Sequence, residues 1–157
     1  MSEIKLITFD NNYRNDFFLL NKEWIEEYWE LENSDKKDLL YPENISQGGG
    51  EIFLVLEKNT VIGTCAMIKI SSKSYELAKM TISKKYRGRG YSKLLMKASI
   101  NFARNQKAEK IILISNRKLV VARQLYDKFG FKEVVLDSDK YSRGDIKMEL
   151  NLQEQIL

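Results

Sequence analysis

The stretch Tyr75-Glu-Leu-Ala-Lys-Met-Thr-Ile-Ser-Lys-Lys-Tyr-Arg-Gly-Arg-Gly-Tyr91 decides the fold of this chain. An apolar segment typical of a β-strand runs into Arg87-Gly88-Arg89-Gly90, and an amphipathic pattern typical of a helix begins directly after it. Two glycines permit positive φ angles and leave room for a ligand to approach the backbone. Backbone N–H groups that converge at a helix N-terminus bind phosphate, and the two arginines add positive charge. The stretch therefore predicts a phosphate-binding loop.

Two common phosphate-binding motifs do not fit this loop. It lacks the Lys-Ser or Lys-Thr of a P-loop after its last glycine. It also lacks the third glycine and later acidic residue of a dinucleotide fingerprint. Lys85-Tyr86-Arg87-Gly88-Arg89-Gly90 instead resembles the acyl-CoA pyrophosphate loop of the GNAT superfamily of N-acetyltransferases. That motif reads Arg or Gln, two residues, Gly, one residue, then Gly or Ala. Lys85 departs from it at the first position.

A second segment strengthens the resemblance. Leu125-Tyr-Asp-Lys-Phe-Gly-Phe131 is similar to the Leu-Tyr-x-Lys-x-Gly-Phe element that closes the last helix of these enzymes. Between the two segments, the apolar run Lys110-Ile-Ile-Leu-Ile-Ser-Asn116 predicts a buried strand. The order of strand, glycine loop, helix, strand and helix matches the family over most of the chain. The match fades in the first fifty residues.

The resemblance implies the positions of the CoA contacts. The pyrophosphate would bind at Arg87–Ser92, and main-chain groups of the strand before the loop would pair with the pantetheine arm. Asn116 would either cap the following helix or face the same arm. The implied cofactor-binding residues are Thr81, Ile82, Ser83, Arg87, Gly88, Arg89, Gly90, Tyr91, Ser92 and Asn116.

Two catalytic residues are implied in the same way. Glu76 matches a glutamate that serves as general base in several family members, and Tyr126 matches the tyrosine that protonates the departing thiolate. Each has an alternative: Glu76 as a surface or salt-bridged strand residue beside Lys79, and Tyr126 as a packing residue on an apolar stripe. If Glu76 is not the base, a water relay or a carboxylate such as Glu23 or Glu27 would replace it.

The chain contains no histidine and one cysteine, Cys65. The missing histidine excludes Ser-His-Asp and Cys-His nucleophilic schemes and leaves a zinc site only carboxylates and one thiol. We therefore expect no metal site, and we expect Cys65 to be a core residue among its apolar neighbours.

The composition is typical of one globular domain, predicted over residues 1–157. Hydrophobic residues make up 43% of the chain and charged residues 31%, and no apolar run is long enough for a membrane span. A single cysteine and a polar N-terminus predict a cytoplasmic protein. The net charge of +4 is modest, and the basic residues alternate with acidic ones, so nucleic-acid binding is disfavoured.

The order of elements predicts an α/β fold, with a central twisted mixed sheet of about six to seven strands and helices on both faces. Asn11–Glu30 is helical in pattern, and Leu39–Gly50 is predicted to be a loop. In the first helix, Trp24 and Tyr28 are predicted core residues, whereas Trp29 is a pocket or surface candidate. The predicted strands are Ile4–Thr8, Glu51–Glu57, Val61–Ile70, 75–83, Lys110–Asn116, Lys132–Leu136 and Asp145–Leu150.

The favoured function is transfer of an acetyl group from acetyl-CoA to a primary amine by direct attack in a ternary complex. A non-catalytic CoA-binding or regulatory module on the same fold is the alternative. The acceptor stays open between a small molecule and a protein amine. Its pocket is expected in the first fifty residues and the loop Asp137–Gly144, and a homodimer is open as well.

Overall fold

A computed structural model describes residues 3–137 and 142–153 of the chain. Its strands are β1 Ile4–Thr8, β2 Glu51–Glu57, β3 Thr60–Lys69, β4 Ser74–Ile82, β5 Lys110–Ser115, β6 Lys132–Val134 and β7 Ile146–Asn151. They form one seven-stranded sheet in the order β1-β2-β3-β4-β5-β7-β6. Neighbouring strands are antiparallel except β4 and β5, which are parallel. The predicted mixed sheet is confirmed.

Helices cover both faces of the sheet, as predicted. They are α1 Arg14–Glu26, α2 Asn33–Leu40, α3 Glu43–Gln47, α4 Tyr91–Asn105 and α5 Val120–Lys128, with 3₁₀ turns at Asn11–Tyr13 and Lys84–Tyr86. On one face, Leu95 and Met96 of α4 pack in a core with Cys65 of β3, and α5 adds partly buried side chains. On the other face, Phe17 of α1 and Leu39 of α2 pack with β2.

The region between β1 and β2 differs from the prediction. The first α-helix ends at Glu26 rather than Glu30, and the predicted loop Leu39–Gly50 contains the end of α2 and all of α3. At the N-terminus of helix α2, the Asp35 carboxylate accepts a 2.9 Å hydrogen bond from the Glu32 N–H. The Glu32 side chain accepts one from the Asp35 N–H in return, so the two residues form a capping box. Pro42 precedes α3 with a helical φ of −61°. The hydrophobic pattern missed α2 because its sequence is largely polar.

The feature that shapes the middle of the sheet is a bulge in β4. Thr64 of β3 pairs with Thr81, and Ala66 pairs with Ala78, so one residue of β3 opposes two residues of β4. Lys79, within the bulge, has a left-handed φ of 56°. A bulge bends its strand and increases the local twist.

The strands β4 and β5 stop pairing three residues before this bulge. Within the described parts of both strands, ladder pairing covers only Ser74–Glu76 against Lys110–Ile112. The rest of each strand lines a cleft. The parallel seam in the centre of the sheet therefore opens into a pocket.

Candidate active site

The cleft between the separated ends of β4 and β5 has a volume of about 1100 Å³. Its walls come from β4, the loop after it, the N-terminal turns of α4, the end of β5, and α5. The residues that follow α1, and Arg143 and Gly144, complete the wall. A cleft of this size can enclose a ligand larger than an ordinary small metabolite.

The glycine loop forms one end of the cleft. Gly88 has a φ of 78° and Gly90 a φ of 86°, both left-handed, and Gly90 is the residue that caps α4. A Cβ built on either glycine would meet no other atom within 4 Å, so the space in front of the loop is open. The first N–H groups of α4 have no helical acceptor of their own and form the positive end of the helix dipole.

The two arginines of the loop differ in their position relative to the cleft. The Arg87 side chain lines the cleft, and its Nε–H donates a 2.9 Å hydrogen bond to the Ile82 carbonyl, which fixes the loop to the end of β4. Arg89 lies outside the cleft lining, with its guanidinium 5.2 Å from the centre of the Tyr86 ring.

Lysines extend the positive charge along the same end. Lys93, Lys118 and Lys128 all line the cleft. The neighbouring ammonium of Lys128 lowers the pKa of Lys93, so two like charges from α4 and α5 lie close together. An anionic ligand would relieve this repulsion.

The two predicted catalytic side chains both line the cleft. Glu76 is 4% exposed and lies at the last paired position of β4, where the strands separate. It is therefore buried, and the alternative of a surface residue is wrong. Tyr126 is on α5 and packs against Phe131 with ring centres 6.0 Å apart. Burial raises the pKa of Tyr126, with a smaller contribution from Cys65, so its phenol is protonated at neutral pH.

The predicted pantetheine contacts are only partly available. Thr81 and Ile82 line the cleft, but Ser83 does not, and its N–H donates to the Ile62 carbonyl at 2.8 Å. Asn116 lines the cleft, while its amide donates to the Arg143 carbonyl at 2.7 Å and its Oδ1 accepts from the Lys118 N–H. It thus fixes the turn before α5 and is not the N-cap of that helix, which is Leu119.

Aromatic residues of α1 and the turn after it form another part of the cleft wall, which we call the aromatic end. Trp24, Tyr28 and Trp29 all line it, and the last two rings are 5.4 Å apart. Tyr28 is 58% exposed, so its prediction as a core residue is wrong. The helical stripe does not continue to it because α1 ends at Glu26. Glu27, also in the wall, forms a 3.0 Å ion pair with Lys84.

Sequence reasoning missed a buried ion cluster at this end. Lys79 and Arg143 line the cleft, and both contact Asp35, whose side chain is fully buried. Burial alone would raise the pKa of Asp35, but bonds from Arg143 and Lys79 outweigh it and hold the pKa well below its usual range. In the sequence, the one signal for this cluster was Lys79, a charged residue within a largely apolar strand. Residues 138–141 of the predicted acceptor loop lie outside the described residues.

Comparison with known proteins identifies the family. The sequence model of the Acetyltransferase (GNAT) family matches residues 18–131. The chain belongs to this family. The N-acetyltransferase 8B of Homo sapiens is 24% identical over 122 residues, which are 74% of this chain and 53% of that protein. The chain therefore spans about half the length of this curated relative.

Solved structures share the fold over nearly the whole GNAT chain. An acetyltransferase of the GNAT family from Staphylococcus aureus Mu50 has a TM-score of 0.88 at 22% identity, covering 96% of this chain and 99% of that one. The structure of yncA from Salmonella typhimurium with its cofactor acetyl-CoA has a TM-score of 0.79 at 14% identity, covering 98% and 96%. The predicted family and fold are thus confirmed, and acetyl transfer is the general chemistry they support.

No helix in the described parts of this GNAT chain has the length and apolar character needed to cross a bilayer. Cys65 is fully buried under α4, with its sulfur 3.3 Å from the Ser99 hydroxyl. Burial raises the pKa of Cys65 to about 12. The prediction that Cys65 is a core residue is confirmed.

We predict that the Cys65 thiol reacts much more slowly with a thiol reagent in the folded GNAT protein than in the unfolded protein. A thiol with a raised pKa holds little thiolate at pH 8, so labelling by Ellman's reagent should be on the order of 10³-fold slower than in urea. Cys65 is the only cysteine, so the signal reports on it alone. Equal labelling rates in the folded and urea-unfolded protein would contradict its burial.

Proposed function

We propose that this GNAT protein transfers an acetyl group from acetyl-CoA to a primary amine, which attacks the thioester while both substrates are bound. The main support is the cleft itself. Its walls join a glycine loop at a helix N-terminus to Glu76, Tyr126 and the aromatic end. A donor and an acceptor that bind at the two ends would meet between them, and holding both in place supplies much of the rate.

The loop end is suited to the pyrophosphate of CoA. Phosphate oxygens would accept hydrogen bonds from the amides at Gly88–Ser92, where a side chain at either glycine would occupy the ligand's space. Arg87, Lys93 and Lys128 would add positive charge to the same region. The phosphates would also offset the repulsion between the two lysines.

The nitrogen of the acceptor must lose two protons during the reaction, and the leaving sulfur must gain one. An ammonium has no free electron pair, so the amine must lose a proton, which Glu76 would accept directly or through water. The amine nitrogen then forms a bond to the carbonyl carbon, and the carbon–sulfur bond breaks. The leaving sulfur takes the proton of the Tyr126 hydroxyl. The acylated nitrogen still carries an extra proton, which it gives to the Tyr126 phenolate directly or through water, so the neutral amide forms. Bulk water then removes the proton from Glu76.

The aromatic end is suited to a cationic acceptor. The Glu27 and Glu76 carboxylates lie in the wall of the cleft, and the rings of Trp24, Tyr28 and Trp29 provide faces that attract cations. A primary amine arrives as an ammonium at neutral pH, since its pKa in solution is about 10. This combination favours an amine over a neutral hydroxyl as the acceptor.

Turnover with a panel of amines tests the proposal. The panel contains spermidine, glucosamine, a peptide with a free N-terminus, and an N-terminally blocked peptide with one lysine. Release of thiol from acetyl-CoA that depends on one of these amines supports the enzyme. CoA binding without release for any of them would instead support a non-catalytic CoA-binding module.

We predict that Gly90→Val weakens CoA binding by roughly tenfold or more. A β-branched residue at a left-handed φ is strained by about 1–2 kcal/mol, and its side chain occupies the space in front of the loop. Isothermal titration calorimetry with CoA measures the effect. Gly49→Ala is the control, because Gly49 also has a positive φ (99°) but lies outside the cleft lining. Unchanged affinity in a folded Gly90→Val protein would remove the loop from the CoA site.

We predict that Tyr126→Phe lowers kcat by about 10²-fold and leaves CoA affinity nearly unchanged. The ring that packs on Phe131 remains, and only the proton donor is lost. Tyr41→Phe, at an exposed tyrosine outside the cleft, is the matched control. Full turnover of Tyr126→Phe with chemistry rate-limiting would make Tyr126 a packing residue only.

We predict that Glu76→Gln lowers kcat by about 10²-fold at pH 7 and that the deficit shrinks as the pH rises toward 10. More acceptor is then neutral before it binds, so a base matters less. The measurement is the pH profile of both proteins with the fastest panel amine, and Glu149→Gln on β7 serves as control. A deficit that is equal at every pH would assign Glu76 to orientation rather than proton transfer.

A further inference from the structure

The ion cluster at the aromatic end joins three distant segments of the chain. The Lys79 ammonium lies 2.8 Å from Oδ1 of Asp35 and 3.9 Å from Asp38. The Arg143 guanidinium donates to both Asp35 oxygens, at 2.6 and 2.7 Å, and to Glu32 at 3.0 Å. The cluster thus bonds β4 and the segment before β7 to the same residue of α2.

These charges are among the least exposed in the described structure. The side chain of Asp35 is 0% exposed, that of Lys79 2% and that of Arg143 10%. A buried ion pair adds little net stability compared with apolar residues of similar size, because both charges lose their hydration. Its directional bonds, however, fix which groups lie together. The geometry that the cluster imposes is therefore its main effect.

The cluster holds the bulge of β4 from one side. A left-handed lysine is strained by about 1–2 kcal/mol relative to an extended one, so other contacts must maintain it. Its carbonyl accepts a 2.9 Å hydrogen bond from the Thr64 hydroxyl, whose oxygen accepts a 3.2 Å bond from the buried Asn21 amide. Its ammonium is held by Asp35. The bulge is thus fixed through both its backbone and its side chain.

The same cluster holds the opposite wall. The Arg143 guanidinium lies 6.0 Å from the centre of the Trp24 ring. The Ser142 N–H donates to Glu32 at 2.8 Å, and the Arg143 carbonyl accepts from Asn116 at the end of β5. Segment 142–144 is therefore tied to α2 on one side and to β5 on the other.

We infer that Asp35, Lys79 and Arg143 are positioning residues that set the shape of the acceptor end of the cleft. They connect the bulge, three residues after Glu76, to the wall over Trp24. The inference rests on the proposed acetyl transfer, because it assigns the aromatic end to the acceptor. The bonds cited above join the cluster to α2, β3 and the segment before β7 and not to the glycine loop, so loss of the cluster should affect the acceptor and not CoA.

The test compares Lys79→Met and Arg143→Lys with the wild-type chain. Lys79→Met keeps the length of the side chain and leaves Asp35 bonded to Arg143. Arg143→Lys keeps the positive charge and loses the bidentate hydrogen bonding to Asp35. For the fastest panel amine, both variants should show at least a tenfold higher KM. The KM for acetyl-CoA and the Kd for CoA by calorimetry should stay within twofold of wild type.

Lys147→Met is the matched control. Lys147 on β7 forms a 2.9 Å ion pair with Asp137, which follows β6, and neither residue lines the cleft. Its KM values should equal those of the wild type. All assays are run well below the lowest melting temperature, so that a loss of stability alone does not change either KM.

Each outcome decides the inference. A raised acceptor KM with unchanged CoA affinity supports the inference. If Lys79→Met does not fold, this result for Arg143→Lys alone is sufficient. Variants that melt earlier but keep both KM values overturn it, as do variants in which both substrates weaken equally. If the wild type binds CoA but acetylates no amine, the proposed function fails and the inference fails with it. Normal wild-type turnover with unaffected variants rejects the inference alone.

Discussion

The separation of β4 from β5 is the constraint on which the rest of the structure depends. Parallel pairing ends at Glu76 and Ile112, three residues before the bulge at Lys79. If the pairing continued along both strands, the glycine loop would lie at the end of a closed sheet with no cleft behind it. The separation also explains why a carboxylate can be both buried and in contact with the cleft. Glu76 is at the last paired position, so it is covered by the sheet on one side and faces the opening on the other.

Different segments of the chain build the glycine-loop part and the aromatic part of the cleft wall. The helix N-terminus, Arg87 and three lysines come from the part of the chain after β4. The aromatic end comes from the turn after α1 and from the segment before β7, with cations that are bonded to Asp35 or Glu32. The ion pair between Glu27 and Lys84 connects the turn after α1 to the start of the glycine loop.

The parts of the fold that the sequence predicted are those with local signals. Glycines at left-handed positions and apolar stripes located the loop, α4 and α5, and short apolar runs located the strands. Helix α2 was missed because the residue that anchors it in the interior is Asp35. A hydrophobic pattern assigns any aspartate to the surface. Tyr28 was misplaced because the periodicity does not show where α1 ends. Resemblance to the family led to Glu76 and Tyr126. The ion cluster could not be predicted, since Asp35 bonds residues 44 and 108 positions away.

The separated strands also bear on self-association. A strand edge with unpaired N–H and C=O groups is a template for the strands of other chains. Beyond the short seam, β4 and β5 turn two such edges toward each other inside the cleft, between α4 and α5 on one face and α1 and α2 on the other. Within the described residues, the outer edges of the sheet are β1 and β6. These outer strands, rather than the separated pair inside the cleft, are therefore the edges that a strand of another chain would meet.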